Sequence, residues 1–569
     1  MSGKLMVTCL CALSVLYASA QPSPQIIAQS QSFEEPENGA SRLLLMQNGH
    51  TLFFHFTPGR GIDVTVYGPD HRQRVVTHAN VASWKNRRMR FSELRGIYEI
   101  NGQAVVFLEN QINWQPRLYR FIFDSNNGAL LSEKLIASLP GTALFTRTPA
   151  VHDNEHSPEF MVRKDPSSDY YAVAMNDLRT RKTGQQLRIR HYSPQHELLS
   201  DAPFDLTGSP YKYIDFADMY VQGDTSVLVA AFAYNRNVFQ NGDSRLVIGT
   251  LPRGGQTFQT SLLEHTARLQ IRDVAMKYHP QSGMLYLLTS VRERLLKSSE
   301  EFIMRRSFYE DYALLMNIID PRNLSVKQHY YVAHPQLNRY AKEHLQYRHP
   351  YRGVIQDFHL NADGTTQLLF EELEVSEEPY STTTHTDSTG VVHTTTSANK
   401  RYSSRLGEIG IATLDTSGKE INGYAIAKDQ QAEANIDIFH IHHRNQSGWT
   451  FRDNGDWMNL SGFGSYDFFH ANGKDYILYN DVAANTTDTR EDYRTKKQVS
   501  WFSRTNTVCA VYENGQITKT YLYGAPEART ARFSQLEMIT RSKDGKSFAT
   551  MMIEKTGKKK EARVVWVSL

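Results

Sequence analysis

Five acidic residues recur along the chain in the same local setting, each directly before an apolar residue. They are Glu159, Asp215, Asp273, Asp357 and Asp467. If the fold brings such carboxylates together, they could bind a cation or a hydroxyl-rich ligand, or share protons as catalytic pairs. A repeated acid also suits a structural role, in which its carboxylate accepts backbone N–H groups from its neighbours. The five residues are candidate ligand-binding residues, and the repetition favours the structural role.

A second group of candidates lies between residues 429 and 464. His440 and His442 would point to one side of a strand, a spacing that can hold zinc, but no third ligand is evident. They are therefore only weak metal candidates, and the sequence identifies no cofactor. Trp449 and Trp457 flank a short acidic turn just downstream. Exposed tryptophans can stack on sugar rings, or they can equally pin a loop to the core.

Carboxylates and amides also stand at the ends of several apolar stretches, where strands would meet water. They are Glu109-Asn110, Asn176-Asp177, Glu371-Glu372, Asn480-Asp481 and Glu554. Polar residues are common where strands end in water, so this pattern by itself predicts solvent-exposed strand ends rather than a binding or catalytic site.

The elements that position these residues follow one repeated pattern, a tight turn between two apolar runs. The eight turns are Asn48-Gly49, Asn101-Gly102, Pro166–Asp169, Gln222-Gly223, Pro280–Gly283, Ala362–Gly364, Asn472-Gly473 and Lys543–Gly545. Asn-Gly and Asp-Gly accept positive φ and favour hairpin turns. A third strand, a second turn and a more polar fourth strand follow most of them. Each unit is thus a four-stranded antiparallel meander, which is typical of a β-propeller blade.

The sequence predicts an all-β fold, a propeller of eight four-stranded blades, with seven blades as the alternative. The eighth unit ends at Leu569 after its third strand, which would leave an open edge. Residues 25–30, Gln-Ile-Ile-Ala-Gln-Ser, precede the first unit and could supply the missing strand. We therefore expect the two ends of the chain to close the ring. A pair of smaller all-β domains would not explain the missing strand.

Long insertions interrupt the later units, at 292–312, 380–404, 429–464 and 482–505. All of them fall between second and third strands or between units, and these connections share one face of a propeller. Loops held by a rigid scaffold commonly carry binding residues. The Thr-rich segment 381–396 contains a central turn signal and predicts either a protruding hairpin or a disordered loop.

Residues 1–20 predict a cleaved signal peptide. A basic start precedes thirteen apolar residues, and Ala18-Ser19-Ala20 offers a cleavage site before Gln21. No later stretch approaches 18 apolar residues, so we expect no membrane span in the mature chain, a single propeller over 21–569. Only Cys509 remains after cleavage, whereas secreted eukaryotic proteins of this size usually carry several disulfides. These features indicate an exported bacterial protein, in the periplasm, on the cell surface or secreted.

Composition limits the functions that this chain can have. The chain has 63 Lys and Arg against 60 Asp and Glu, which argues against nucleic acid as a partner. No P-loop and no G-x-S-x-G nucleophile elbow occurs. We predict a binding or scaffold module for a glycan, peptide or envelope protein. The alternative is a glycan-active enzyme, a hydrolase or lyase, that uses carboxylates at the channel mouth.

Overall fold

The computed structural model describes most of the chain from residue 24 onwards. The described ranges are 24–36, 39–86, 89–141, 160–177, 180, 184–206, 208–235, 244–267, 269–292, 304–307, 310–378, 382–386, 392–396, 401–433, 436–446, 460–487 and 492–569. The predicted signal peptide, Glu159, Trp449 and Trp457 lie outside these residues, so their predictions stay untested.

The first half of the chain forms strands at regular intervals. They are β1 (Gln25–Gln29), β2 (Ala40–Leu45), β3 (Thr51–Thr57), β4 (Gly61–Tyr67), β5 (Gln73–Ala79), β6 (Met89–Ile100), β7 (Gln103–Ile112), β8 (Gln115–Phe123), β9 (Leu130–Ser138), β10 (Phe160–Lys164), β11 (Tyr171–Asn176), β12 (Leu187–Tyr192), β13 (Leu198–Pro203), β14 (Tyr213–Gln222), β15 (Ser226–Tyr234), β16 (Ser244–Pro252) and β17 (Gln259–Leu262). After β1, these strands form four antiparallel sheets, β2–β5, β6–β9, β10–β13 and β14–β17, which are blades 1 to 4.

The second half continues the pattern with longer connections. Its strands are β18 (Gln270–His279), β19 (Met284–Arg292), β20 (Met304–Ser307), β21 (Glu310–Asp320), β22 (Ser325–Tyr331), β23 (Val354–Leu360), β24 (Thr366–Glu378), β25 (Thr382–Thr386), β26 (Val392–Thr396), β27 (Arg401–Leu414), β28 (Glu420–Ile426), β29 (Gln430–Ala432), β30 (Tyr466–Ala471), β31 (Lys474–Asp481), β32 (Asn506–Glu513), β33 (Gln516–Tyr521), β34 (Thr530–Arg541), β35 (Ser547–Thr556) and β36 (Lys559–Ser568). Blade 5 is β18-β19-β21-β22, blade 6 is β23-β24-β27-β28, blade 7 is β30–β33 and blade 8 is β34-β35-β36-β1.

Short helices lie in the connections. They are α1 (Pro335–His344), α2 (His440–Asn445), α3 (Ala483–Thr487) and the 3-10 turns Ser83–Lys85, Glu264–Thr266, Leu460–Phe463, Tyr493–Thr495 and Phe502–Arg504. In the part of the chain that the structure describes, no helix has both the length and the apolar character needed to cross a bilayer.

The fold is therefore an eight-bladed β-propeller, as predicted, and the seven-blade alternative is wrong. Strand β1 pairs antiparallel with β36, from Gln25 opposite Ser568 to Gln29 opposite Val565. The Ser30 amide then donates to the Val564 carbonyl at 2.8 Å. The N-terminal strand thus covers the edge that the truncated last unit would expose, and the predicted closure is confirmed.

Apolar layers between neighbouring blades form the core. Second strands are covered on both faces, and in β15 every residue after Ser226 is buried. Between blades 1 and 2, for example, Phe54 of β3 and Val106 of β7 belong to one fully buried cluster. Because each sheet packs on two neighbours, the continuous apolar runs of second strands follow directly from ring closure.

The first strands contact one another from blade 1 to blade 6 and between blades 8 and 1, so the first strands surround the central channel. We call the end of the ring at which these strands begin the upper face. The four predicted insertions all leave from this face, between second and third strands or between blades. The tight turns lie at the lower end, and Asn101-Gly102 has the positive φ angles of 52° and 69° expected of its sequence. Thr382–Thr386 pairs with Val392–Thr396, which confirms the hairpin interpretation of the Thr-rich segment.

Candidate functional site

Helix α2 enters the central channel from the connection between blades 6 and 7. Residues 440–446, which we call the channel plug, contact side chains or carbonyl groups from the inner strands of several blades. At its end, the Gln446 carbonyl accepts a hydrogen bond from the Tyr98 hydroxyl of blade 2 at 3.0 Å. Arg541 of blade 8 donates to the Asn445 side chain at 3.1 Å. His442 contacts Asp218 of blade 4, which lies opposite blade 8 in the ring, so the plug crosses the channel.

The inner strands of blades 4 to 7 each present an aspartate to this plug. Its carboxylate accepts the amide of the following residue, at 2.9 Å for Asp218, 2.8 Å for Asp273, 2.8 Å for Asp357 and 3.0 Å for Asp467. This is the structural role that the sequence repetition favoured. A β-bulge immediately precedes the aspartate in blades 4, 5 and 6, and such a bulge redirects a side chain.

In blade 4 the aspartate at the channel position is Asp218 and not the candidate Asp215. The segment Asp215-Phe-Ala-Asp218-Met contains two acids that precede an apolar residue. The bulge between Phe216 and Asp218 brings Asp218 to the channel position. Asp215 is buried elsewhere, where it accepts a hydrogen bond from the Asn176 amide at 3.0 Å. A bulge of this kind has no clear sequence signature, so spacing alone could not separate the two.

His442 is the centre of the plug. Its Nε2 lies 2.9 Å from Asp218 Oδ2, and its Nδ1 lies 3.1 Å from Asp357 Oδ1. Both acceptors are carboxylates, so both ring nitrogens carry hydrogen and the ring is an imidazolium ion. Burial lowers the pKa of His442, but the hydrogen bonds to the two aspartates outweigh it, and the pKa is raised. The same contacts overcome burial at Asp218 and lower its pKa to about 2.

The other plug residues complete the pairing of the channel acids. His443 lies 3.5 Å from Asp273, and Arg444 lies 3.3 Å from Asp467. The Asn445 amide donates to Asp357 at 3.2 Å. Cations on the channel wall add further contacts: Arg163 to Asp218, Lys277 to Asp357 and Arg541 to Asp467. Four aspartates from four blades thus hold one short helix.

The two histidines proposed as weak zinc ligands are not arranged as predicted. His440 and His442 lie on helix α2 and not on a strand. His442 has both ring nitrogens engaged by carboxylates, and burial lowers the pKa of His440 to about 3. Among the described residues, no group of three His, Cys, Asp or Glu side chains is placed to hold a metal ion.

A different carboxyl pair lies in blade 6, toward the upper face. Glu372 and Glu408 face each other across the bulge where β24 pairs with β27. The Tyr347 hydroxyl lies 2.7 Å from Glu372 Oε2 and 2.6 Å from Glu408 Oε2. A hydroxyl has one proton to donate, so the second close contact requires a proton on a carboxyl group. These distances indicate that the two carboxyl groups share a proton.

Burial and like charge explain why this proton is held. Burial first, and then the charge of Glu372, raise the pKa of Glu408 well above its ordinary value. Burial also opposes ionisation of Glu372, but hydrogen bonds from Glu408 and Tyr347 outweigh it, and the pKa of Glu372 is lowered. The sequence showed Glu372 only as a polar strand end, and nothing in it distinguished Glu408. Only the strand register brings the two together.

The same tyrosine connects two upper-face connections. Tyr347, in the segment between blades 5 and 6, stacks on Tyr493 of the 482–505 insertion with ring centroids 4.6 Å apart. The Val499 amide and carbonyl, further along that insertion, pair with Asp429 and Gln431. Phe502 is buried against blade 8, but its neighbour Trp501 is 62% exposed. The insertion therefore crosses the upper face from blade 6 to blade 8 and presents a tryptophan to solvent.

Sequence comparisons leave the family of this chain open, since no protein-family model and no curated protein sequence matches it. Solved structures with similar architecture include a prolyl endopeptidase (9% identity, TM-score 0.36), the polysaccharide lyase Uly1 (10%, 0.35) and the α-L-arabinanase of Penicillium chrysogenum (6%, 0.32). The matches cover 91%, 84% and 87% of this chain and 55%, 90% and 100% of those chains. The chain thus spans about half the length of the prolyl endopeptidase. Likenesses this distant carry no argument about what this chain binds or catalyses.

Proposed function

We propose that this protein is an exported β-propeller that binds a glycan, peptide or envelope protein on its upper face. The observation that carries the proposal is the channel plug. Asp218, Asp357 and Asp467 are engaged by cations of helix α2 or of the channel wall, and Asp273 lies 3.5 Å from His443 of the same helix. A binding function is therefore favoured over a glycan-active enzyme that would use those carboxylates.

The upper face supports the same proposal. Its long connections contact one another through Tyr347 and Tyr493 and through the backbone pairing at Val499. Preorganised loops lose less conformational entropy on binding than mobile ones. An exposed tryptophan on such a scaffold is typical of recognition surfaces, where aromatic side chains contribute much of the binding energy.

The proposal can be tested by blocking one face at a time. Cys509 is the sole cysteine after residue 20, is buried, and burial raises the pKa of its thiol to about 12, so it should not react with maleimides. A new cysteine can therefore be labelled selectively with a large maleimide–polyethylene glycol. Arg348→Cys places the label on the upper face, and Gln281→Cys places it on a lower turn; both residues are exposed.

Binding of the chain from residue 21 to isolated polysaccharide and protein fractions of the bacterial envelope is then measured. We expect labelled Arg348→Cys to lose binding, while labelled Gln281→Cys and both unlabelled variants retain it. Equal binding by the two labelled variants would contradict the proposal, as would the absence of binding to every fraction.

A further inference from the structure

Trp501 stands out among the large apolar side chains of the upper face. It is 62% exposed, although the residues around it are firmly placed. The next residue, Phe502, is 1% exposed and belongs to the core cluster of blade 8, and Val499 pairs with the β29 region. An indole that stays in solvent between two anchored neighbours is rigidly presented. Such a ring can stack on another flat or ring-shaped group at little entropic cost.

The segments beside Trp501 are basic. Residues 497–504 and 555–560 together contain Lys497, Arg504, Lys555, Lys558, Lys559 and Lys560, and neither segment contains an acidic residue. Lys555 Nζ donates to Ser503 Oγ at 3.3 Å, which joins the end of blade 8 to the loop that carries Trp501. Lys555 and Lys560 lie directly opposite each other in β35 and β36, so both leave the sheet from the same side.

Within the part of the chain that the structure describes, ion pairs compensate only some of this positive charge. Lys559 pairs with Glu561 and Lys560 pairs with Glu35. Lys497, Arg504 and Lys558 are exposed. A flat aromatic ring beside several exposed cations combines a stacking surface with charge complementarity toward an anion.

We infer that Trp501 and these basic residues form a binding site for an acidic polysaccharide, with the indole against a sugar ring and the cations beside its carboxylates. This inference rests on the proposed function and specifies its ligand class. An acidic peptide would use the cations but supplies no sugar ring for the indole. A neutral glycan would use the indole but leaves the cations without partners.

The test compares three probes by titration calorimetry: polygalacturonate, its fully methyl-esterified form and polyglutamate. The first has rings and charge, the second has rings without charge, and the third has charge without rings. We expect binding of polygalacturonate alone, weakened by added salt because ionic contacts are screened. Equal binding of either other probe, or no binding of polygalacturonate, would overturn the inference.

Two variants with matched controls locate the site. Trp501→Ala should lower the affinity for polygalacturonate about tenfold, whereas Trp114→Ala, at a 41% exposed tryptophan of blade 2, should change it by less than about twofold. Lys558→Glu should weaken binding about threefold to tenfold, and Lys546→Glu, on a lower-face turn, should not. Equal effects within either pair would overturn the inference. If the face-blocking experiment still shows upper-face binding, the proposed function stands without this ligand.

Discussion

The channel plug and the carboxyl pair of blade 6 both bury several acidic groups, but they neutralise the negative charge in different ways. In the channel, Asp218 and Asp357 face the imidazolium of His442 and further cations. In blade 6, Glu372 and Glu408 face each other and a tyrosine, and a proton takes the place of the cation.

This difference predicts different responses to mutation and to pH. A buried carboxylate with a fixed cation stays ionised across the neutral range, so removal of the cation should be costly. A carboxyl pair that depends on a proton tolerates mutation to an amide, but it should weaken as the solution becomes more basic. The two regions can therefore be separated by three experiments.

Removal of the central cation should have the largest effect. His442→Ala leaves Asp218 and Asp357 buried without the imidazolium between them, and we expect a loss of about 3–5 kcal/mol in unfolding free energy. The matched control is His443→Ala, because the His443 side chain is 37% exposed and pairs with Asp273 at 3.5 Å. That change should cost less than about 1 kcal/mol. Urea denaturation measures both, and similar losses would show that the plug is not held at His442.

A smaller effect is expected when one channel acid loses its charge. Asp357→Asn keeps the shape of the side chain but removes the negative charge beside Lys277 and His442, so we expect a loss of about 1.5–3 kcal/mol. Asp273→Asn is the control, since Asp273 is 27% exposed and Asp357 only 5%. If Asp357→Asn is as stable as the unaltered chain or more so, the acid is a functional rather than a structural residue.

The smallest effect at neutral pH should come from Glu408→Gln, which replaces the shared proton by an amide hydrogen. The pKa of Glu408 in the folded protein is raised above its ordinary value of 4.5. The proton's contribution to stability is therefore fully present below about pH 4.5. It is lost as the pH rises through the folded pKa. The unaltered chain should therefore lose stability toward basic pH, and Glu408→Gln should lose less of it.

Glu420→Gln provides the control for this pH dependence. Burial raises the pKa of Glu420 to about 7, although the amides of Gln336 and Leu337 donate to it and oppose the shift. Glu420→Gln should therefore remove the pH dependence of stability between about pH 4.5 and pH 7, and leave the loss of stability above pH 7 unchanged. Thermal unfolding from pH 5 to pH 9 distinguishes the two variants. If the unfolding temperature changes with pH in the same way for Glu408→Gln and for the unaltered chain, the pair holds no proton.

Much of the architecture could be predicted from the sequence because its determinants are local. Asn-Gly turns, alternating and continuous apolar runs, and a last unit that lacks one strand are all visible in the chain itself. These features predicted the eight blades, the closure by β1 and the face that carries the insertions.

The partners of the acidic residues were decided only by the tertiary structure. The bulge before Asp218, the entry of helix α2 into the channel and the meeting of Glu372 with Glu408 each depend on register or on contacts between distant segments. His442 and Asp218 are 224 residues apart, and no local pattern encodes such a contact. An aspartate or glutamate is the same letter in the sequence whether its carboxyl group faces a cation, a proton or a ligand. The sequence therefore determined where the acids stand along each strand, and the packing of the ring decided what each of them faces.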